Sequence, residues 1–231
     1  MNKQLSQRLS ACLNALSSFK TIADIGTDHA YLPCIGITQN IIDKAIAIDV
    51  IDGPLEMARR TINSYGLEKV IELRKGSGLA PLKIGEVEAA NIAGMGGNLI
   101  AKLITDNLEI AKSLKMLALQ PQGAELNLRK TLNDNRFEIL NEVILEDEGL
   151  IYIVISARYN EDTLPLTDEQ LQFGPTLLKN PQATLFQKKW LNEVSAIKKM
   201  LKKIPDHNPK RSYFQQELLM INEVLNRGKS E

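Results

Sequence analysis

A chain of 231 residues with 44% apolar side chains can bury a sizeable α/β core, and its 28 basic and 28 acidic residues cancel, so no overall charge advertises a polyanionic partner. Cys12 and Cys34 form no CxxC pair, there is no charged-then-apolar leader, and no apolar run approaches the ~20 residues of a membrane span. The expectation is a cytoplasmic protein with no membrane association. In chain order, Leu5, Leu9, Cys12, Leu13 and Leu16 fall at helical spacing and predict a short amphipathic helix over 5–16. Strands are then predicted at Thr21–Asp24, Ala45–Asp49, Val70–Arg74, Glu88–Ile92 and Met116–Leu119. Helices are predicted between them at Tyr31–Gln39, Gly53–Tyr65, Gly97–Glu109 and Ala124–Asn133. This alternation predicts a parallel sheet with helices on both faces.

The rhythm changes at Arg136. Phe137–Leu145 and Leu150–Tyr159 are β-rich and joined by Glu146-Asp147-Glu148-Gly149, which predicts an antiparallel hairpin and brings the strand total to seven. Past Asn160 a segment with Asp162, Pro165, Asp168, Gly174 and Pro175 reads as a linker. The remainder to Arg227 reads as two or three helices. Trp190, Val194, Ile197 and Leu201 form one apolar stripe and Phe214, Leu218, Ile221 and Leu225 another, which would pair as an antiparallel helical hairpin. Residues 1–160 thus form one predicted domain and 161–231 a second.

Asp24-Ile25-Gly26-Thr27-Asp28-His29-Ala30-Tyr31-Leu32-Pro33 carries most of the functional weight. A strand, a glycine turn, a helix and a second strand closing on Asp49 is the layout of a nucleotide-binding βαβ unit, with the later acid placed for ribose hydroxyls. The turn holds one glycine where a dinucleotide fingerprint holds three. It also places Asp28 where a pyrophosphate needs N–H groups and no negative charge. A nucleoside cofactor without phosphates fits better, which points to S-adenosylmethionine and makes a dehydrogenase the weakest reading. Read without the cofactor, Gly26 is a turn residue, Asp28 a helix cap and His29 a solvated first-turn residue.

Three later segments end at the same predicted sheet edge. Gly76-Ser77-Gly78 lets the backbone approach a planar ring, and Ser77 would hydrogen-bond an adenine edge; a simple loop explains it equally well. Asn91-Ile92-Ala93-Gly94-Met95-Gly96-Gly97 concentrates glycines where the backbone would contact a ligand. It stands where many amino-methylating enzymes carry Asp/Asn-Pro-Pro-aromatic, and its difference from that motif points to a ring nitrogen as acceptor rather than an exocyclic amine. Gln120 and Gln122 either read a base edge or cap the next helix. No ligand cluster surrounds His29 or His207, so no metal is expected. Between Thr176 and Arg211 nine Lys/Arg face only Glu193 and Asp206. Lys188, Lys189, Lys198, Lys199, Lys202 and Lys203 are therefore candidates for RNA phosphates, although a charge run is also the ordinary solvated face of a helix.

Together these residues resemble the bacterial TrmK methyltransferases, which form N1-methyladenosine at position 22 of tRNA. The resemblance rests on Asp24–Pro33, on Asp49 with Gly53-Pro54, and on Ile92–Gly97. It continues through Leu119-Gln120-Pro121, the acidic turn before Gly149 with Tyr152 beyond, and Phe173-Gly174-Pro175. It implies a class I, Rossmann-like fold, a mostly parallel seven-stranded sheet ending in an antiparallel hairpin, with a C-terminal α-helical, coiled-coil-like domain. S-adenosylmethionine would be the methyl donor and tRNA the substrate. Asp24, Gly26, Asp49, Gly76, Ser77, Gly78, Asn91, Gly94, Met95 and Gly96 would bind the cofactor. Asp28, His29 and Tyr31 would face the reacting centre, with Asp28 opposite the charge developing on the ring and Tyr31 stacking on the base. The chain departs from the family in Ser77, where an acid is usual, in Asp49, where Glu is usual, and in Gln122, where Asn is usual. A methyltransferase acting on a small molecule or protein, and a catalytically silent RNA-binding module, are the rival readings. The oligomeric state stays open, with a monomer favoured.

Overall fold

The computed structural model describes residues 4–227; residues 1–3 and 228–231, the outer ends of the two predicted domains, lie outside it. Its centre is a seven-stranded sheet of order β3-β2-β1-β4-β5-β7-β6. The strands are β1 (Thr21–Ile25), β2 (Lys44–Asp49), β3 (Ile71–Lys75), β4 (Ala89–Met95), β5 (Met116–Pro121), β6 (Phe137–Asp147) and β7 (Leu150–Tyr159). The first five run parallel, and the β6–β7 hairpin closes the sheet antiparallel to β5. β1 pairs with both β2 and β4, so the chain reverses its direction of travel across the sheet at β1. That crevice, at the carboxyl ends of the strands, is where open α/β sheets bind ligands.

Successive residues of the central strands point to opposite faces and so feed two cores. Ala23, Ile46, Ile48, Ala90, Ile92, Leu117 and Leu119 pack under α4 (Gly97–Thr105), α5 (Leu108–Ser113) and α6 (Glu125–Asp134). Ile22, Ala45, Ala47, Ala89 and Ala118 pack under α1 (Gln7–Ala15), α2 (Tyr31–Thr38) and α3 (Asp52–Tyr65). Small alanines dominate the second set, which lets α1 and α2 sit close to the strands whose ends form the crevice.

Two helices depart from expectation. The single helix predicted over Gly97–Glu109 is broken at Asn107, whose backbone leaves helical geometry (φ −135°, ψ 47°) while its amide donates to Leu103 O at 3.4 Å. The break redirects α5 so that Ala111 is buried against the sheet. Within the predicted linker, α7 (Asp168–Phe173) forms on a reciprocal cap. Thr167 Oγ1 accepts from the Gln170 N–H and the Gln170 side chain accepts from the Thr167 N–H.

Beyond a 3-10 turn at Leu177–Lys179 lie α8 (Thr184–Leu201) and α9 (Pro209–Asn226). Gln187 near the start of α8 donates to Leu225 O, and Arg211 near the start of α9 donates to Leu201 O, so the two helices are antiparallel. Trp190, Val194 and Ile197 pack with Ile221 and Leu225, as the two stripes predict, and Val224, outside both stripes, joins them. Phe173 from α7 joins this cluster, 4.5 Å from the Trp190 ring centre, and ties the helical pair to the rest of the chain.

Candidate active site

The loop after β1 is built around a buried acid. Asp24 is 4% exposed. Its Oδ2 accepts from Thr27 Oγ1 at 2.6 Å, and its Oδ1 accepts from Asn91 Nδ2 at 2.7 Å, across the β1–β4 pairing that sets Asp24 beside Asn91. Burial pushes the Asp24 carboxyl above its ordinary value; those two hydrogen bonds oppose the shift and the charge of Asp49 adds to it. Asn91 Oδ1 is buried and has no partner among the described residues.

Downstream, the backbone enters the left-handed region at Gly26 (φ 68°), Asp28 (φ 52°) and Ala30 (φ 54°). Two non-glycine residues there cost about 1–2 kcal/mol each, and such strain is retained where a local shape is needed. Gly26 N–H and Thr27 N–H both donate to Ile48 O, at 2.8 and 3.0 Å, which pins the turn to the end of β2. Gly26 is also a matter of space. A Cβ there would lie 2.2 Å from Met95 Cε, so Met95 closes over the glycine from β4.

Asp49 ends β2 at 9% exposure, with Oδ2 accepting from the Asp28 N–H (3.3 Å) and Oδ1 from the Ile51 N–H (3.1 Å). Each oxygen keeps lone-pair capacity for a ligand hydroxyl. Gly76 N–H donates to Asp49 O at 3.0 Å, placing the Gly76–Gly78 loop alongside. The two glycines there have packing reasons. A Cβ on Gly76 would meet Pro81 at 2.3 Å, and one on Gly78, at φ 56°, would meet Leu103 at 2.8 Å. Ser77 between them is exposed.

A cleft of about 230 Å³ opens at this end of the sheet. Asp24, Gly26, Asp28, His29, Tyr31, Asn91 and Gly94 all line it, together with Thr27, Leu32, Ala93 and Gln122. Asp49, Gly76, Ser77 and Gly78 lie to one side beyond β2 and β3. Met95 covers the turn, and Gly96 caps α4. Asp28 is 67% exposed at its side chain, and its Oδ2 lies 3.6 Å from His29 Nε2. His29 stacks on Tyr31 with ring centres 5.4 Å apart, and its Nδ1 is buried without a hydrogen-bond partner among the described residues. Asp28 does not cap α2; Ala30 occupies that position and makes no side-chain cap bond.

Arg8 carries no signal in the sequence, and Gln120 has two roles open to it there. Gln120 is fully buried, and its Oε1 accepts from Arg8 NH1 (3.2 Å) and the Gly94 N–H (3.1 Å). It neither reads a base nor caps a helix: it braces the bulge that β4 makes between Ala93 and Met95. Arg8 reaches the cleft from α1, and nothing in the helical period distinguishes it from an ordinary solvent-facing cation.

The candidate RNA lysines divide into two groups. Lys188 pairs with Glu146 (2.6 Å) and Lys189 with Glu125 (3.0 Å), so both bridge α8 to the sheet-bearing part of the chain. Burial pushes the Glu125 carboxyl up, but the charge and hydrogen bond of Lys189, a backbone N–H and the charge of Arg129 together hold it below its usual value. Lys198 and Lys199, in the last turn of α8, and Lys202 and Lys203, just beyond it, make no ion pair with a described residue. Among the described residues, no group of His, Cys, Asp and Glu could hold a metal ion, and no helix is long and apolar enough to cross a membrane.

An acceptor-rich crevice with a stranded buried oxygen fits a nucleoside that carries an amino-acid group. Asn91 Oδ1 and Asp24 suit an ammonium, and Asp49 suits ribose hydroxyls. The family model described as TrmK, tRNA (adenine(22)-N(1))-methyltransferase, matches residues 22–223. The tRNA (adenine(22)-N(1))-methyltransferase of Bacillus subtilis is 33% identical, over 97% of this chain and 98% of its own. A Rossmann-superfamily protein from Streptococcus agalactiae superposes with a TM-score of 0.92 at 35% identity, covering 97% of this chain and 99% of that one. Streptococcus pneumoniae Sp1610, solved with S-adenosyl-L-methionine, gives 0.88 at 32% identity, covering 96% and 100%.

Proposed function

The chain belongs to the TrmK family of tRNA (adenine(22)-N(1))-methyltransferases, and from that premise we propose how its own residues carry out the reaction. It methylates N1 of adenine 22 in tRNA with S-adenosylmethionine as donor. The observation that carries the assignment to this cleft is the buried Asp24–Asn91 pair with its unpartnered Asn91 oxygen, set beside the left-handed turn at Gly26. Asp24 and Asn91 accept from the ammonium of the cofactor's amino-acid end, and Asp49 accepts from the ribose hydroxyls. Gly26 lets the backbone come close, while Met95, Gly94 and Gly96 shape the wall towards the substrate. The Gly76–Gly78 loop borders the adenine, with Ser77 exposed above it.

When bound, S-adenosylmethionine supplies an electrophilic sulfonium methyl. Adenine N1 has a free lone pair, so no residue has to remove a proton before transfer. The protein's contribution is alignment, together with stabilisation of positive charge as it develops on the ring. Asp28, exposed at the cleft mouth, provides the negative partner for that charge. His29 and Tyr31 form a stacked wall against which the extruded base lies, because N1 is on the Watson–Crick edge and must leave any pair. Residues 1–160 act as the catalytic unit and 161–231 as the tRNA-docking unit. Lys198, Lys199, Lys202 and Lys203 are free to meet phosphates, whereas Lys188 and Lys189 hold α8 in place and join only at the edge. The cytoplasm, where tRNA is available and the buried thiols of Cys12 and Cys34 stay reduced, is the matching compartment.

The test is methylation of an unmodified tRNA transcript and of one carrying guanine at position 22, read by mass spectrometry of digested nucleosides. N1-methyladenosine in the first transcript alone is expected. In the same assay Asp28→Asn, which keeps a residue tolerant of positive φ, should lower turnover about a hundredfold while cofactor binding persists. Normal turnover would remove Asp28 from the reaction, and methyl transfer to both transcripts would reassign the target base.

A further inference from the structure

Arg8 is the one permanently cationic side chain among the described residues that line the cleft. Its position is built. Ser6 caps α1, the Arg8 N–H donates to Asp147 Oδ2 at 3.3 Å, and Leu9 and Leu13 on the same helix pack into the core beneath. The side chain therefore extends over the ends of β4 and β5, where NH1 donates to Gln120 Oε1 at 3.2 Å and lies 3.6 Å from where a Cβ on Gly94 would stand. That contact engages one of five guanidinium N–H donors. No described carboxylate forms an ion pair with it, although Asp24 and Asp28 line the same cleft.

An unneutralised cation here opposes the reaction proposed for the site. The donor sulfonium is positive, the methylated adenine is positive, and a third positive charge alongside disfavours both unless an anion lies between. We propose that Arg8 binds the α-carboxylate of the cofactor's amino-acid end. The zwitterion is then read from two sides, its ammonium by Asp24 and Asn91 Oδ1 and its carboxylate by the fork of Arg8. A planar guanidinium held by a buried amide is well matched to a carboxylate, since little side-chain freedom remains to be lost on binding. Because Gln120 Oε1 also holds the Gly94 N–H, the residue that fixes Arg8 fixes the substrate-side bulge as well. Occupying the carboxylate site and shaping the methyl-acceptor wall thus share one brace.

This inference rests on the cofactor assignment made above, and the experiment separates the two. Full-length protein, wild type and Arg8→Gln, is titrated calorimetrically with S-adenosylhomocysteine and with 5′-methylthioadenosine, which has the same nucleoside and thioether but no amino-acid group. Arg8→Gln should weaken S-adenosylhomocysteine by about tenfold to a hundredfold and leave 5′-methylthioadenosine within about twofold, with Arg8→Lys recovering part of the loss. Equal weakening of both ligands would overturn the proposal, because Arg8 would then only hold α1 and the bulge in place. Unchanged binding of both, with weaker tRNA binding at low salt, would also overturn it and identify the anion as a phosphate. Failure of the wild-type protein to bind S-adenosylhomocysteine would instead remove the cofactor assignment itself, and the role of Arg8 with it.

Discussion

Asp24 and Glu142 are both buried, in opposite ways. Asp24 faces the cleft and is held by neutral donors, Thr27 and Asn91. Glu142, on β6, is sealed against Arg129 of α6, with side chains 0% and 1% exposed and Nε to Oε1 at 2.7 Å. Arg129 NH1 donates to Leu171 O and Gln172 O, and Glu142 Oε2 accepts from the Thr176 N–H and hydroxyl. Gly174 is obligatory at that turn, since its φ is 94° and a Cβ would approach Glu142 Oε2 to 2.3 Å. The Glu142 pair therefore joins the sheet to the start of the helical region. An acid whose charge is cancelled inside the protein serves the fold; one left with only neutral partners at a cleft is available to a ligand's positive charge.

The largest effect should come from breaking the sealed pair. Glu142→Gln leaves the Arg129 guanidinium buried without a counter-charge, which costs about 3–5 kcal/mol. Chemical denaturation should show that loss, and a cost under ~1 kcal/mol would mean the pair is solvated in practice. Asp24→Asn should instead weaken S-adenosylhomocysteine by about 1.5–3 kcal/mol while unliganded stability moves by less than ~1 kcal/mol. Its pH dependence sharpens the contrast. The folded protein holds the Asp24 proton more tightly than the unfolded chain does, because burial raises the carboxyl above 3.8. The associated stability is complete below the unfolded value and is lost as pH rises through the elevated folded one. In denaturation series run upwards from acid, the stability of the Asp24→Asn protein relative to wild type should therefore rise; a relative stability that falls with rising pH would contradict this. The smallest effect belongs to Lys188→Ala, which removes an exposed pair with Glu146 and should cost about 0–1 kcal/mol with no change in ligand affinity.

Most of the sheet was legible because its signals are local. Alternating Ile and Ala runs ending on Asp24 and Asp49 mark buried strands and their ligand-facing ends, and the β6–β7 hairpin follows from two β-rich runs around Gly149. The α7 cap was written in Thr167-x-x-Gln170 and was masked by the prolines and acids around it. The break at Asn107 depends on how α5 must turn to bury Ala111, which no window of sequence contains. Within the site, the residues close to β1 were readable from their order alone. Arg8 and Gln120 were not, since their meaning lies in a contact across 112 positions of chain. Lys188 and Lys189 looked like Lys198 and Lys199 for the same reason: only the fold brings Glu146 and Glu125 beside the first two.

The most direct test of this division of labour is one thermal-unfolding series on wild type, Asp24→Asn and Glu142→Gln, each with and without saturating S-adenosylhomocysteine. Asp24→Asn should keep the wild-type midpoint but lose most of the ligand-induced rise. Glu142→Gln should show the reverse, a lowered midpoint with the rise retained. A full ligand-induced rise in Asp24→Asn would contradict the placement of the cofactor against Asp24, and with it the site on which the methyl transfer is built.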